Sequence, residues 1–235
     1  MTITTSLQDW IDLFAKTFSR LPLTLFMLVM SLFFAIIIAV VIAIIRIKKI
    51  RILYELATVY LSFARSTPLL VQLFLVYFGL PQLLLAFNID INHFNRLVFL
   101  VFTFSMHTGA YLSEIFRSAY LAVGREQLEA AYSVGMTYMQ ALRRIILPQA
   151  FVISLPNLGN HTIELLKDTA LAFTIGIIDI MGQVRIILGN NYGIGMFEIY
   201  VVISIVYWLT CIAIETIFGY LEKVFKKGRI DLSKQ

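Results

Sequence analysis

The chain has 235 residues, is 60% hydrophobic and only 14% charged, and carries a formal net charge of +5. Soluble domains carry about 25% charged residues, so this balance excludes an ordinary soluble domain and points to a one-domain, all-α integral membrane protein. Nucleic acid is excluded as a partner because the basic residues bracket apolar runs instead of forming one basic face, while membrane lipid is implied.

Residues 1–20 lack the basic start and small-residue cleavage site of a signal peptide. Leu7, Trp10, Ile11, Phe14 and Phe18 follow helical spacing, with Asp9, Asp12 and Lys16 largely elsewhere on the wheel. That pattern predicts a short helix lying in the membrane interface. A transmembrane helix needs about 20 mainly apolar residues, and five stretches qualify: residues 22–45, 66–85, 97–119, 148–174 and 196–218. An amphipathic stretch at 52–64 either extends the second span inward or lies along the surface. The run from 148 to 178 is too long for one unbroken span and carries Lys167 and Asp168, which predicts a break or a wet face. Residues 180–195 hold four glycines and read as a loop, with room for a short helix at 183–188. The domain expected to hold the spans is 21–222, followed by a basic tail at 223–235. The single cysteine, Cys211, lies in an apolar run, cannot form an internal disulfide, and reads as packing.

Five spans put the two ends on opposite sides. With the N-terminus outside, the inner segments hold Arg46, Lys48, Lys49, Arg51, Arg65, Arg117, Arg125, Arg143, Arg144, Lys223, Lys226, Lys227, Arg229 and Lys234. The outer ones hold Lys16, Arg20, Arg96 and Arg185. This positive-inside bias places the C-terminus and residues 122–147 in the cytoplasm.

Within that inner segment, Glu129 to Val134 can continue a helix that starts near Arg125. Gly135 is the residue type that most readily takes the left-handed conformation ending a helix. Thr137 and Gln140 form a capping-box pattern for a second helix, which Leu147-Pro148 is expected to interrupt. Such a segment could be an amphipathic connector. However, Glu129-Ala130-Ala131, then Gly135, then Ile146-Leu147-Pro148 resembles the EAA loop of ATP-binding-cassette importer permeases. The resemblance implies that Glu129, Ala130, Ala131, Gly135, Leu147 and Pro148 couple the spans to an ATPase, with Ala130 and Ala131 permitting close approach.

Three further motifs extend the match across about residues 60–180. The run from Ala64 to Pro81 is similar to the second-span signature of the polar amino acid branch. MHTGAYLSEIFR at 106–117 resembles its third-span pattern, with His107 where small polar residues are more usual. Leu165-Leu166-Lys167-Asp168-Thr169 matches its LLKDT motif. Asn190-Asn191-Tyr192-Gly193 with Phe197-Glu198-Ile199-Tyr200 looks most like cystine-type permeases. Arginine, glutamine, histidine and other polar amino acids remain open.

Ionisable side chains inside a bilayer are costly and mark pathways or partners. Glu114 lies one turn from Arg117, so it either pairs there or faces the path. His161, Glu164 and Asp168 share a helical face, and Glu164 can pair with Lys167. Thr67 and Gln72 flank the proline break at Pro68, where a freed carbonyl can face a wet cavity. These six residues, Thr67, Gln72, Glu114, His161, Glu164 and Asp168, are the substrate-path candidates. No metal site is expected, since His161 has no second ligand at suitable spacing. Nor is a catalytic constellation expected.

The resemblance therefore implies a multi-pass subunit of the bacterial cytoplasmic (inner) membrane that moves a polar amino acid by alternating access. The chain lacks a GxxxxGK[ST] loop, so ATP and Mg are expected on a separate ATPase, with no cofactor in this chain. The other implied partners are a second permease copy or paralogue and an extracellular binding protein. The rival class is a gradient-driven amino acid transporter, which would need inverted repeats or discontinuous helices in corresponding halves.

Overall fold

The computed structural model describes residues 7–226. Residues 1–6 of the expected interfacial helix and 227–235 of the basic tail lie outside them. Among the described residues every regular element is helical. In chain order these are α1 (Leu7–Phe18), α2 (Leu21–Lys48), α3 (Arg51–Ser66), α4 (Leu69–Leu85), α5 (Arg96–Ala122), α6 (Arg125–Ser133), α7 (Tyr138–Ile175), α8 (Ile180–Asn190) and α9 (Met196–Lys226).

Length and composition qualify two stretches as membrane spans, one ending in α2 and one formed by α9. The α3–α4 pair, bent by 112°, and the α7–α8 pair, bent by 47°, qualify as broken spans. The central helix α5, with 27 residues, is long enough to cross but is not among the qualifying spans; it carries more polar residues, with Thr103, Ser105, Thr108 and Ser113 all buried.

The tightest seam joins α2 and α5. Ala35, Ala39 and Ala43 recur at four-residue spacing on α2 and are buried. They let Gly109 of α5 approach so closely that a Cβ there would meet Ile38 Cγ2 at 2.9 Å and the Ala35 carbonyl at 3.2 Å. Lipid tails are as apolar as leucine, so helices in a bilayer gain from close backbone packing by small residues of this kind. Around the seam, Met27, Leu73, Leu100, Phe104, Leu165 and Leu166 form the main core. The α1 helix packs through Leu13 and Phe14 on α8 and α9, where Ile180, Val184, Ile199 and Val206 are buried.

Two helices contain a widened turn with i to i−5 hydrogen bonds, at Leu75–Gly79 and Leu142–Ile146. Each stands immediately before a Leu-Pro pair, Leu80-Pro81 or Leu147-Pro148. The leucine N–H reaches back to Leu75 or Leu142, respectively. Proline cannot donate to the i−4 carbonyl and its ring crowds that carbonyl; one extra residue in the turn relieves the conflict. This corrects the expectation that Leu147-Pro148 interrupts the helix: α7 runs on through it.

Two other expectations change. Residues 52–64 do not extend the second span inward as a straight rod, because Thr67, held extended before Pro68, turns the chain between α3 and α4. The short helix for which 183–188 left room is present and longer, spanning residues 180–190. The signal missed there is Asp179, whose Oδ1 accepts from the Gly182 N–H at 2.8 Å and caps α8. Asp179 is fully buried.

Candidate functional site

A polar cavity of about 430 Å³ opens between α5 and α7, lined by His107, Thr108, Tyr111, His161, Glu164, Leu165 and Asp168. Its geometry begins at Pro68. Proline has no N–H, so the Ala64 carbonyl one turn back loses its helical donor. The buried side chain of Gln72 supplies the replacement: Nε2 donates to the Ala64 and Thr67 carbonyls, each at 2.8 Å. That fixes the amide orientation and turns Oε1 toward His107 Nδ1, 3.2 Å away. Neutral His107 therefore carries its proton on Nδ1.

The opposite wall comes from α7. His161 Nδ1 lies 2.7 Å from Glu164 Oε2. This corrects the expected Glu164–Lys167 pair: three-residue spacing serves both directions, and the carboxylate turns to the histidine that shares the cavity. Tyr111 sits between the two imidazoles, with ring centroids 5.2 Å from His107 and 5.3 Å from His161. The Arg65 guanidinium lies 5.8 Å from the centroid of the Tyr111 ring, within cation–π range.

Of the six path candidates, the structure brings Gln72, His161, Glu164 and Asp168 together. Thr67 contributes a carbonyl to Gln72. Glu114 lies elsewhere, at the junction of three helices, where Arg46 of α2 and Arg117 of α5 bind its two carboxylate oxygens and Arg65 of α3 stands 3.8 Å away. The expected partner Arg117 is present at 3.0 Å; two more arginines join it. His107 and Tyr111 complete the cavity. Their four-residue spacing on one face of α5 was the available signal.

Residues 122–147 form a second feature. Gly135 has φ +80°, and its N–H bonds the Tyr132 carbonyl at 2.9 Å. Thr137 and Gln140 make both bonds of a capping box. Glu129 and Ala130 are exposed, but Ala131 is 1% exposed and turned into the chain. Of the two alanines expected to meet a partner, only Ala130 is outward. Leu147 and Pro148 are exposed, while Ile146 packs with Ala119, Val123 and Ala150. The segment is thereby tied to the C-terminal end of α5 and the N-terminal part of α7.

A family model described as binding-protein-dependent transport system inner membrane component matches residues 31–227. The probable amino-acid permease protein YxeN of Bacillus subtilis (strain 168) is 42% identical over 223 residues, 94% of this chain and 95% of its own. The L-cystine transport system permease protein TcyL of the same organism is 41% identical over 210 residues, 89% of this chain and 87% of its own. A solved structure described as an amino acid ABC transporter with histidines matches with a TM-score of 0.80 and 31% identity, over 94% of this chain and 99% of that one.

Proposed function

The chain belongs to the family of binding-protein-dependent transport system inner membrane components and is the permease subunit of an amino acid ATP-binding-cassette importer; from that premise we propose that it carries cystine through the polar cavity between α5 and α7. It is a transport subunit and not an enzyme, and the ATPase is a separate subunit. The gradient-driven alternative has no support in that family.

The observation that carries the proposal is the convergence of His107, Tyr111, His161, Glu164 and Asp168 from two helices on one space, with Gln72 of α4 buried behind His107. A zwitterion crossing a bilayer needs replacements for its water shell. Glu164 and Asp168 on one wall offer two carboxylates for the two ammonium groups of cystine. The name of the 41% identical relative TcyL supports the same cargo.

The remaining parts follow as proposals. Five spans cross the bacterial inner membrane, with α1 along the outer surface, the N-terminus outside and the C-terminus inside. Two permease halves, identical or paralogous, enclose the path. A binding protein delivers cargo from outside, and two ATPases bind ATP and Mg below. Residues 122–147 receive the ATPase, with Glu129, Ala130 and Gly135 at the contact and Leu147-Pro148 leading into α7. Closure of the ATPase dimer on ATP favours the outward-open state and hydrolysis restores the inward one, a shift set by the differential affinity of ATP for the two states.

The test is uptake of labelled cystine into vesicles containing the assembled importer, with unlabelled arginine, glutamine, histidine and cystine as competitors. Cystine should compete best. Stronger competition by any of the other three overturns the assignment.

A further inference from the structure

On the face of α5 away from the polar cavity lies a second space, an apolar groove of about 520 Å³ between α2, α5 and α7. Phe116 and Tyr120 line the groove and His107 and Tyr111 the cavity. Each pair is offset by nine residues, about two and a half helical turns, so the two spaces lie on opposite sides of α5. The groove therefore faces away from the path along which two permease halves would meet. Its walls are Val40 and Ile44 on one side and Leu147 and Phe151 on the other, all exposed. At its inner mouth stands Lys48. Among the described residues Lys48 has no ion-pair partner, whereas its neighbour Arg46 is committed to Glu114.

We propose that this groove holds one acyl chain of an anionic phospholipid of the inner leaflet, with the headgroup phosphate on Lys48. An apolar groove in a bilayer is filled by hydrocarbon, since water gains no hydrogen bonds there. Charge selects the headgroup: basic residues at the cytoplasmic end of a span attract anionic lipid, and basic pockets between helices hold it. Tyr120 and Tyr138 line the same groove, as amphipathic rings do at the headgroup level. The groove shares Tyr138, Leu142 and Leu147 with the start of α7, so the lipid wedges the segment that leads from the ATPase contact into the bundle. This placement rests on the inner side assigned above to residues 46–51.

The test uses the assembled importer purified in mild detergent. Native mass spectrometry counts retained phosphatidylglycerol against phosphatidylcholine, each supplied alone and as a mixture. Phosphatidylglycerol should be retained preferentially, and Lys48→Glu should lower that retention at least about fivefold while Lys48→Arg preserves it. Val40→Trp, a change at an exposed position, should fill the groove and reduce retention of both lipids. A photoactivatable phosphatidylglycerol should label peptides of α2 and α7 at this height. Equal retention of the two lipids, or no response to both Lys48→Glu and Val40→Trp, overturns the proposal. So does a Phe151→Cys disulfide between two permease copies, which would put protein in the groove. Loss of assembly, read by size exclusion, is separated from loss of lipid by the Lys48→Arg control. Cargo competition does not enter these readouts, so this proposal and the cystine assignment stand or fall separately.

Discussion

Gln72 supplies the hydrogen bond that Pro68 removes. Its side-chain amide meets the carbonyl of Ala64, four residues before the proline, at 2.8 Å. The same amide binds Thr67 and points its oxygen at His107. The break between α3 and α4 and the wall of the polar cavity are thus one construction. Gln72→Leu leaves two inward carbonyls without donors, each costing about 1–3 kcal/mol. Thermal unfolding in detergent should show a clear loss of stability, together with reduced uptake. An unchanged melting temperature would mean that water replaces the amide.

The α2–α5 seam has no room for a side chain at Gly109. Gly109→Ala should destabilise measurably, and Gly109→Val should cost about 1–3 kcal/mol through overpacking against Ile38 and Ala35. Gly79→Ala is the control: a Cβ there meets nothing within 4 Å, and stability should hold. Equal melting temperatures for the Gly109 and Gly79 variants would show that the seam yields.

Glu114 gathers three arginines from three helices. Glu114→Gln leaves Arg46 facing an uncharged partner at a half-buried site. The cost should be about 2 kcal/mol, below that of a fully buried pair because water reaches the carboxylate. Arg117→Gln should cost less, since Arg46 and Arg65 remain. A double-mutant cycle on Glu114 and Arg46 measures the coupling, and a value near zero would remove this junction from the stability account.

Gly135 at φ +80° can be replaced only with backbone strain, roughly 1–2 kcal/mol for a β-branched residue. Nothing lies within 4 Å of its missing Cβ, so Gly135→Val should disturb the turn and spare the membrane bundle. The protein should reach the membrane while uptake is lost and ATP hydrolysis continues. Full uptake by this variant would count against residues 122–147 as the lever.

Asp179 caps α8, its Oδ1 accepting from the Gly182 N–H at 2.8 Å. Asp179→Ala removes the acceptor and should cost about 1 kcal/mol, whereas Asp179→Asn keeps one and should cost less. Equal melting temperatures in detergent for Asp179→Ala and the unaltered protein would remove this cap from the stability account.

Hydropathy and turn chemistry made much of the architecture legible beforehand. Gly135, Thr137 and Gln140 announce a turn and cap through local rules alone, and the structure forms both. What escaped depends on partners distant in the chain or on competing local signals. Gly182 and Gly189 left room only for a short helix at 183–188, and the cap by Asp179 starts it three residues earlier. Leu147-Pro148 looked like a stop, but a widened turn absorbs the proline. Glu164 could bond forward to Lys167 or back to His161, and only the cavity shared with His107 and Tyr111 decides. Arg46 lies 68 residues from Glu114, a pairing that no local pattern contains.

The widened turn at Leu142–Ile146 holds one residue more than a regular coil needs. If that surplus migrates along the helix, the residues it passes turn by about 100° relative to the rest of the rod. His161, Glu164 and Asp168 lie on the far side of this turn, and Gly135 and the capping box lie on the near side. Migration of the turn past Asp168 would therefore swing this polar stripe around the axle without lengthening the rod.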